Sequence, residues 1–262
     1  MKVCTLISGS SGNAIYIETA RAKVMIDAGQ SGKTISMALE EACCRSPQEL
    51  DGLLLTHGHR DHISGVGVLA RRYRLPVYAT EGTWCELDSL PGKINEEQKN
   101  YLRAGESLEI GDLKIEPFPV SHDAMEPVGY LLSAGKKAVG VATDSGVFTA
   151  QMARMVTNVD GLVLEANHDL EMLKNGSYSW PLKKRISGIL GHLSNDTAGN
   201  ALLRIMGKNT RKVLLAHLSA ENNHPDLALQ TVQDILTENQ VHLDEVDITV
   251  APRYKPSAVI SI

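Results

Sequence analysis

The chain has 262 residues, with 26 Lys and Arg against 31 Asp and Glu, a formal charge of −5 at pH 7. That length supports one large domain or two small ones and buries roughly 70 to 75% of the unfolded surface, so folding needs no staple. The acidic balance excludes a basic coat that holds nucleic acid by global charge, and any phosphate site has to be local. The four cysteines, Cys4, Cys43, Cys44 and Cys85, contain no C-x-x-C pair, which argues against a disulfide framework or a thiolate zinc site and for a reducing, cytoplasmic setting. No apolar run approaches the roughly 18 residues of a membrane span, and the N-terminus turns to SGSSGN before a signal-peptide core forms. The expectation is a soluble protein with no membrane partner.

In chain order, VCTLI, AIYIE and KVMID are short β-rich runs separated by Ser/Gly and Thr/Ala/Arg turns, which predicts an antiparallel meander over Val3–Ile26. DGLLLTH reads as a fully buried strand because Leu53, Leu54 and Leu55 show no polar alternation. A helix over DHISGVGVLARRY and a strand at VYAT follow, making a βαβ unit with parallel pairing. SLEIGDLKIEPFPVSH alternates on both sides of Gly111 and Asp112, the chemistry of a hairpin. Strands continue at Gly129–Leu132 and Lys137–Thr143. Beyond Asp144, amphipathic stretches alternate with the apolar runs LVLEA, KVLLAH and VDITVAP, an α/β pattern. No solenoid repeat, low-complexity tract or long linker divides the chain. Residues 1–262 therefore read as one domain of two halves, a four-layer α/β/β/α sandwich of two facing mixed sheets with helices outside.

The chemistry concentrates in THGHRDH, residues 56–62, directly after the triple-leucine strand. His57 and His59 are two apart, so an extended segment points both imidazoles the same way. Asp61 and His62 open the next helix, where an acidic side chain suits the dipole. A lone H-x-H on a loop is more often solvated or a cap, but four donors in six residues overfill one tetrahedral zinc and suggest two metals sharing a loop. His122 in FPVSHD, Asp144 in VGVATDSG and His217 in VLLAHLS each stand at the polar end of an apolar run, where α/β sites collect their ligands. Each alone is weak, since an isolated His or a TDSG turn is usually a capped or hydrogen-bonded surface feature.

HGHRDH, a distant His, the Asp of TDSG and a late His resemble the metallo-β-lactamase superfamily of dinuclear hydrolases. SGSSGN, IDAG, THGHRDH, LEANHD, GHLSN and LAHLSAENNHPD are similar to the YycJ/WalJ family within it, bacterial proteins regarded as DNA exonucleases. This resemblance implies that His57, His59 and His122 hold a first metal, that Asp61, His62 and His217 hold a second, and that Asp144 bridges the two. It implies Zn²⁺, with Mn²⁺ as competitor, and a bridging hydroxide as nucleophile in a 5′ to 3′ exonuclease reaction. Asp27 in IDAG resembles the superfamily's buried aspartate that partners a ligand. Glu165 and His192 resemble a pair in related tRNA-processing phosphodiesterases, in which the His contacts the scissile phosphate or protonates the leaving oxygen and the acid orients it. Asn167 and His168, two and three positions beyond Glu165, are further candidates for the same phosphate, and Asp61 would ligate and orient the nucleophile.

Basic residues near the cleft would give a net-acidic chain its local grip on DNA, with RNA as a second candidate. Arg71, Arg72 and Arg74 in RRYR are candidates, although cations at a helix end are commonly solvated caps. In KNGSYSWPLKKR, Tyr178 and Trp180 interleave with Lys174, Lys183, Lys184 and Arg185, so bases can stack while phosphates are contacted. GKT at Gly32–Thr34 is no P-loop tail, because the pattern's first glycine would fall on Asp27. The short stretch between Asp144 and His217 leaves no room for the large inserted domain of other nucleases in the superfamily, so grip has to come from loops, a partner or a second copy of the chain. A small-molecule ester, thioester or lactone hydrolase on the same metal core is the alternative enzyme class, and a metal-bound binding module would predict a missing ligand.

Overall fold

The computed structural model describes residues 1–88 and 94–262. β1 (Lys2–Ile7), β2 (Ala14–Glu18) and β3 (Lys23–Ile26) form the expected antiparallel meander, and α1 (Gly32–Cys43) leads to β4 (Gly52–Leu54). The chain continues through α2 (Arg60–Ile63), α3 (Val66–Tyr73), β5 (Val77–Thr80), α4 (Glu81–Asp88) and β6 (Lys99–Leu102), with β3 to β6 paired in parallel. The second half repeats the plan. β7 (Leu108–Ile110), β8 (Leu113–Pro119), β9 (Val128–Ala134) and β10 (Lys137–Ala142) run antiparallel. Then α5 (Ala150–Val156), β11 (Gly161–Glu165), α6 (Leu170–Asn175), α7 (Trp180–Ile186), α8 (Asn195–Ile205), β12 (Lys212–Ala216), α9 (Pro225–Glu238) and β13 (Asp247–Val250) carry the parallel pairings β10 to β13. β14 (Ile260–Ser261) returns to the first sheet beside β1. Among the described residues there are two seven-stranded sheets, each mixed.

The strand alternation fixes the layers. In β3, Val24 and Ile26 enter the seam between the sheets with Tyr130, Val141 and Leu214 of the other sheet, while Met25 faces the opposite way. Met25 and Leu53 pack under Ile35 and Leu39 of α1 and Leu69 of α3, and Leu162, Leu164 and Leu215 pack under Met152 of α5, Leu202 of α8 and Val232 of α9. The four-layer order expected from the sequence follows from strands buried on both faces. The sheets are also tied by backbone, with the Val128 amide donating to the Thr56 carbonyl at 2.9 Å and the Tyr130 hydroxyl to the Leu55 carbonyl at 2.5 Å.

One expected element is divided. The helix read across Asp61–Tyr73 breaks at Ser64–Gly65 into α2 and α3. Gly65 lies so close to the loop before α1 that a Cβ there would collide with the Gln30 carbonyl, and its amide donates to the Ala28 carbonyl at 2.7 Å. That bond turns the chain just after His62.

Candidate active site

The donors gather where the parallel strands end. After β3 the chain turns at Asp27 in a left-handed conformation, φ 60°, which aims its carboxylate at the end of β4. Oδ1 accepts from the Thr56 amide at 2.9 Å, and Oδ2 accepts from the Thr56 hydroxyl and from His62 Nδ1, both at 2.7 Å. Because the Thr56 hydroxyl donates to Asp27, its oxygen accepts from His57 Nδ1 at 3.0 Å. Both imidazoles are thereby fixed with Nε2 facing the cleft. Gly29 of IDAG completes the turn, because a Cβ there would collide with the Asp61 carbonyl.

His122, three residues past β8, donates Nδ1–H to the Gly191 carbonyl at 3.0 Å and brings Nε2 to 3.2 Å from His59 Nδ1. Asp144 follows β10 and His217 follows β12, each with φ 57°. A left-handed non-glycine residue is uncommon, and three of them among the site residues mark strand ends bent to aim a side chain. Glu165 ends β11 fully buried and accepts four hydrogen bonds: Oε2 from the Ser145 and Leu193 amides at 3.0 Å each, Oε1 from His192 Nδ1 at 2.8 Å and His217 Nδ1 at 2.9 Å. His192 and His217 therefore both turn Nε2 away from the acid. His217 Nε2 lies 3.6 Å from Asp61 Oδ2, and the His192 ring keeps one edge in solvent.

Among the described residues, four sets of ligand atoms each lie within 4.8 Å of one another: His57, His59 and His122; His57, His62 and Asp144; Asp61, His62 and His217; and Asp144, Glu165, His192 and His217. Among the described residues, the cleft-facing atoms His57 Nε2, Asp144 Oδ2 and His217 Nε2 are buried and make no hydrogen bond, although His62 Nε2 stands 3.5 Å from Asp144 Oδ2 and Asp61 Oδ2 3.6 Å from His217 Nε2. Buried lone pairs of this kind are costly unless a cation meets them. Burial and the neighbouring imidazoles push His57 well below the ordinary histidine range, and burial also lowers His122. Burial works the same way on His62, but Asp144, Asp27 and Asp61 outweigh it and raise it to about 9. His217 goes well above its ordinary value, as Asp144, Asp61 and Glu165 overcome burial. Burial would raise the carboxyls of Asp61, Asp144 and Glu165, yet the facing histidines hold all three below their usual range.

Three further residues reach the site that the spacing of donors does not single out, Asn13 among them from the SGSSGN stretch of the family resemblance. Asn13 of the SGSSGN turn places its amide 3.0 Å from His62 Nε2 and 3.5 Å from Asp61 Oδ2. Glu86 in α4 accepts from the Gly58 and Met125 amides, both at 3.0 Å, and so ties the HGHRDH loop to the segment after His122. Asp123 stands 3.5 Å from His122 Nε2 and 3.8 Å from His59 Nε2, with Arg185 Nε at 2.5 Å.

The expected substrate contacts are placed unequally. Asn167 is buried, its amide donating to the His217 carbonyl at 2.8 Å, so it braces a site histidine. His168 is buried beside it, pushed down to about 4 by burial, with its carbonyl accepting from the Asn195 amide. Lys183 donates to the Lys174 carbonyl at 2.7 Å. Tyr178 is half-buried, Trp180 and Lys184 are exposed, and α7 buries none of its residues. The RRYR cations do not line the cleft: α3 carries the chain from the site end of β4 back to the start of β5, and Arg74 caps that helix with its amide on the Ala70 carbonyl.

Residues 22–218 match the family described as Beta-lactamase superfamily domain. Exodeoxyribonuclease WalJ of Streptococcus pneumoniae serotype 2 (strain D39) is 46% identical over 239 residues, covering 90% of this chain and 88% of that protein. The chain belongs to the WalJ/YycJ family of the metallo-β-lactamase superfamily. Exodeoxyribonuclease YycJ of Bacillus anthracis, 40% identical over 233 residues, covers 89% of this chain and 88% of its own length. In fold, this WalJ/YycJ member matches the metallo-β-lactamase fold protein YhfI from Bacillus subtilis with a TM-score of 0.74 across 98% of both chains at 16% identity. A member of this superfamily with these clustered, unpartnered donors is a divalent-metal protein.

Proposed function

We propose that the protein is a divalent-metal-dependent exonuclease that cleaves phosphodiester bonds of DNA, working from the 5′ end. The observation that carries the reading is the Glu165–His192 pair next to the metal donors. His192 Nδ1 is fixed on Glu165 at 2.8 Å, which leaves Nε2 to meet a phosphate or hand a proton to the leaving oxygen, work that phosphodiester cleavage uses and lactone opening does not need. His57, His59 and His122 would hold one ion, Asp61, His62 and His217 another, with Asp144 between them. The nitrogen-rich set with carboxylates suits Zn²⁺, and Mn²⁺ competes at a phosphate site. A bound pair supplies electrophilic stabilisation of the phosphate and acidifies the attacking water. Asp61 accepts a hydrogen bond from that water and orients it. Glu165 keeps His192 in the tautomer that presents Nε2 and stabilises the imidazolium when it takes a proton. Tyr178, Trp180 and Lys184 on and before α7 form the outer contact with the strand.

Purified protein incubated with labelled single-stranded DNA, duplex DNA and RNA, with and without chelator and beside Asp61→Ala, tests the reading. Chelator-sensitive DNA degradation that the variant lacks supports it. A wild type that opens thioesters or lactones and leaves DNA intact overturns it.

A further inference from the structure

Between α7 and His192 the chain makes a tight turn whose tip carries two large apolar side chains in solvent, Ile189 at 71% and Leu190 at 49% exposure. The Gly191 amide closes the turn on the Gly188 carbonyl at 2.9 Å, and the His192 amide returns to the Ile186 carbonyl at 2.9 Å. The backbone below is fixed to the site: Ser121 Oγ donates to the Ile189 carbonyl at 2.7 Å and His122 Nδ1 to that of Gly191 at 3.0 Å. A rigid turn thus presents two aliphatic groups within three residues of His192, and a ligand that covers them gains their apolar area.

The surroundings identify the occupant. Lys184 and Arg185 stand exposed on the adjoining α7, and Arg185 is paired with Asp123 beside His122. A surface that mixes bare aliphatics with cations next to a phosphodiester site fits a nucleic-acid end, where phosphates meet the cations and an exposed base meets the apolar tip. A second copy of this chain fits it poorly, since covering the tip would desolvate Lys184 and Arg185. We propose that Ile189 and Leu190 are a wedge that inserts against the terminal base pair of a DNA duplex and separates the strand entering the site. The proposal rests on the exonuclease reading. An aliphatic wedge replaces base stacking without offering a ring to hold the freed base, so the released nucleotide leaves.

The test compares wild type with Ile189→Ser/Leu190→Ser on a blunt duplex and on the same strand alone, with metal content and melting temperature recorded for both preparations. The duplex-to-single-strand ratio of kcat/KM falls about tenfold in the variant. A 2-aminopurine at the 5′ terminus of the duplex brightens on binding wild type and stays dark with the variant. If the double variant melts at lower temperature, Leu190→Ala carries the same comparison. An unchanged ratio with unchanged 2-aminopurine signal overturns the wedge and leaves the exonuclease reading intact, whereas a wild type inert on both DNAs overturns both. A wild-type dimer that the variant dissolves assigns the tip to self-association and also overturns the wedge.

Discussion

On one side of the site, His62, His192 and His217 each turn Nδ1 toward a carboxylate, Asp27 for the first and Glu165 for the other two. On the other side His57 and His122 turn Nδ1 toward neutral oxygens, the Thr56 hydroxyl and the Gly191 carbonyl. Burial dominates on the neutral side and keeps those imidazoles unprotonated, whereas the carboxylates raise His62 and His217. The same residue type is therefore prepared in two ways. The neutral side offers free lone pairs, while the anionic side gathers buried Asp27, Asp144 and Glu165 with half-buried Asp61, a concentration of charge that favours cations, whether imidazolium or metal.

The largest effect expected within this comparison is at His192, which shares Glu165 with His217. His192→Ala should lower DNA turnover roughly 10²- to 10⁴-fold while metal content, measured by plasma mass spectrometry, stays at the wild-type level. Loss of metal together with activity would instead make His192 a ligand. Glu165→Gln comes next, because an amide has one acceptor oxygen where four donors converge. Metal affinity should fall about 10- to 100-fold, read by competition with a chelating dye, and an affinity equal to wild type would refute the anchoring role. On the neutral side Thr56→Val removes a hydroxyl that accepts from His57 Nδ1 and donates to Asp27, but leaves the Thr56 amide on Asp27, and should weaken metal binding by about tenfold or less. A loss as great as that of Glu165→Gln would erase the distinction between the two sides.

The smallest effect lies away from the site, at a carboxylate held in a similar cage without imidazoles. Burial pushes the Glu18 carboxyl up, but hydrogen bonds from Arg45 and Tyr16 outweigh it and hold its pKa below the ordinary glutamate value. A depressed folded value stabilises the fold above the unfolded value, near 4.5, and that contribution disappears as pH falls through the folded one. Arg45→Met should move the midpoint of acid unfolding to higher pH with metal content unchanged. A midpoint that stays put would deny Arg45 the stabilising role.

The parts of this fold legible in the sequence are those whose side chains repeat a local pattern. Leu53 to Leu55 announce a buried strand and Gly111–Asp112 a hairpin, both observed. β6, with Lys99, Asn100 and Tyr101 at a sheet edge, has no apolar run to announce it. The donor residues were legible because HGHRDH concentrates them, and His122, Asp144 and His217 stand at the ends of apolar runs. The left-handed turns at Asp27, Asp144 and His217 were not, because backbone bending at a strand end is imposed by tertiary contacts. The sharing of Glu165 by two histidines was hidden for the same reason, since His192 and His217 lie on loops that meet only when β11 and β12 pair. Asn13 comes from SGSSGN, which the family resemblance marks without giving Asn13 a role, and Glu86 and Asp123 come from segments whose composition is that of ordinary helices and turns.

Whether donors from both sheets gather two ions, as proposed, is read by anomalous diffraction from crystals grown with zinc or manganese. Two peaks are expected roughly 3.5 to 4 Å apart, one among His57, His59 and His122 and the other among Asp61, His62 and His217, with Asp144 between them. A single peak, or metal bound away from these residues, would contradict the proposal.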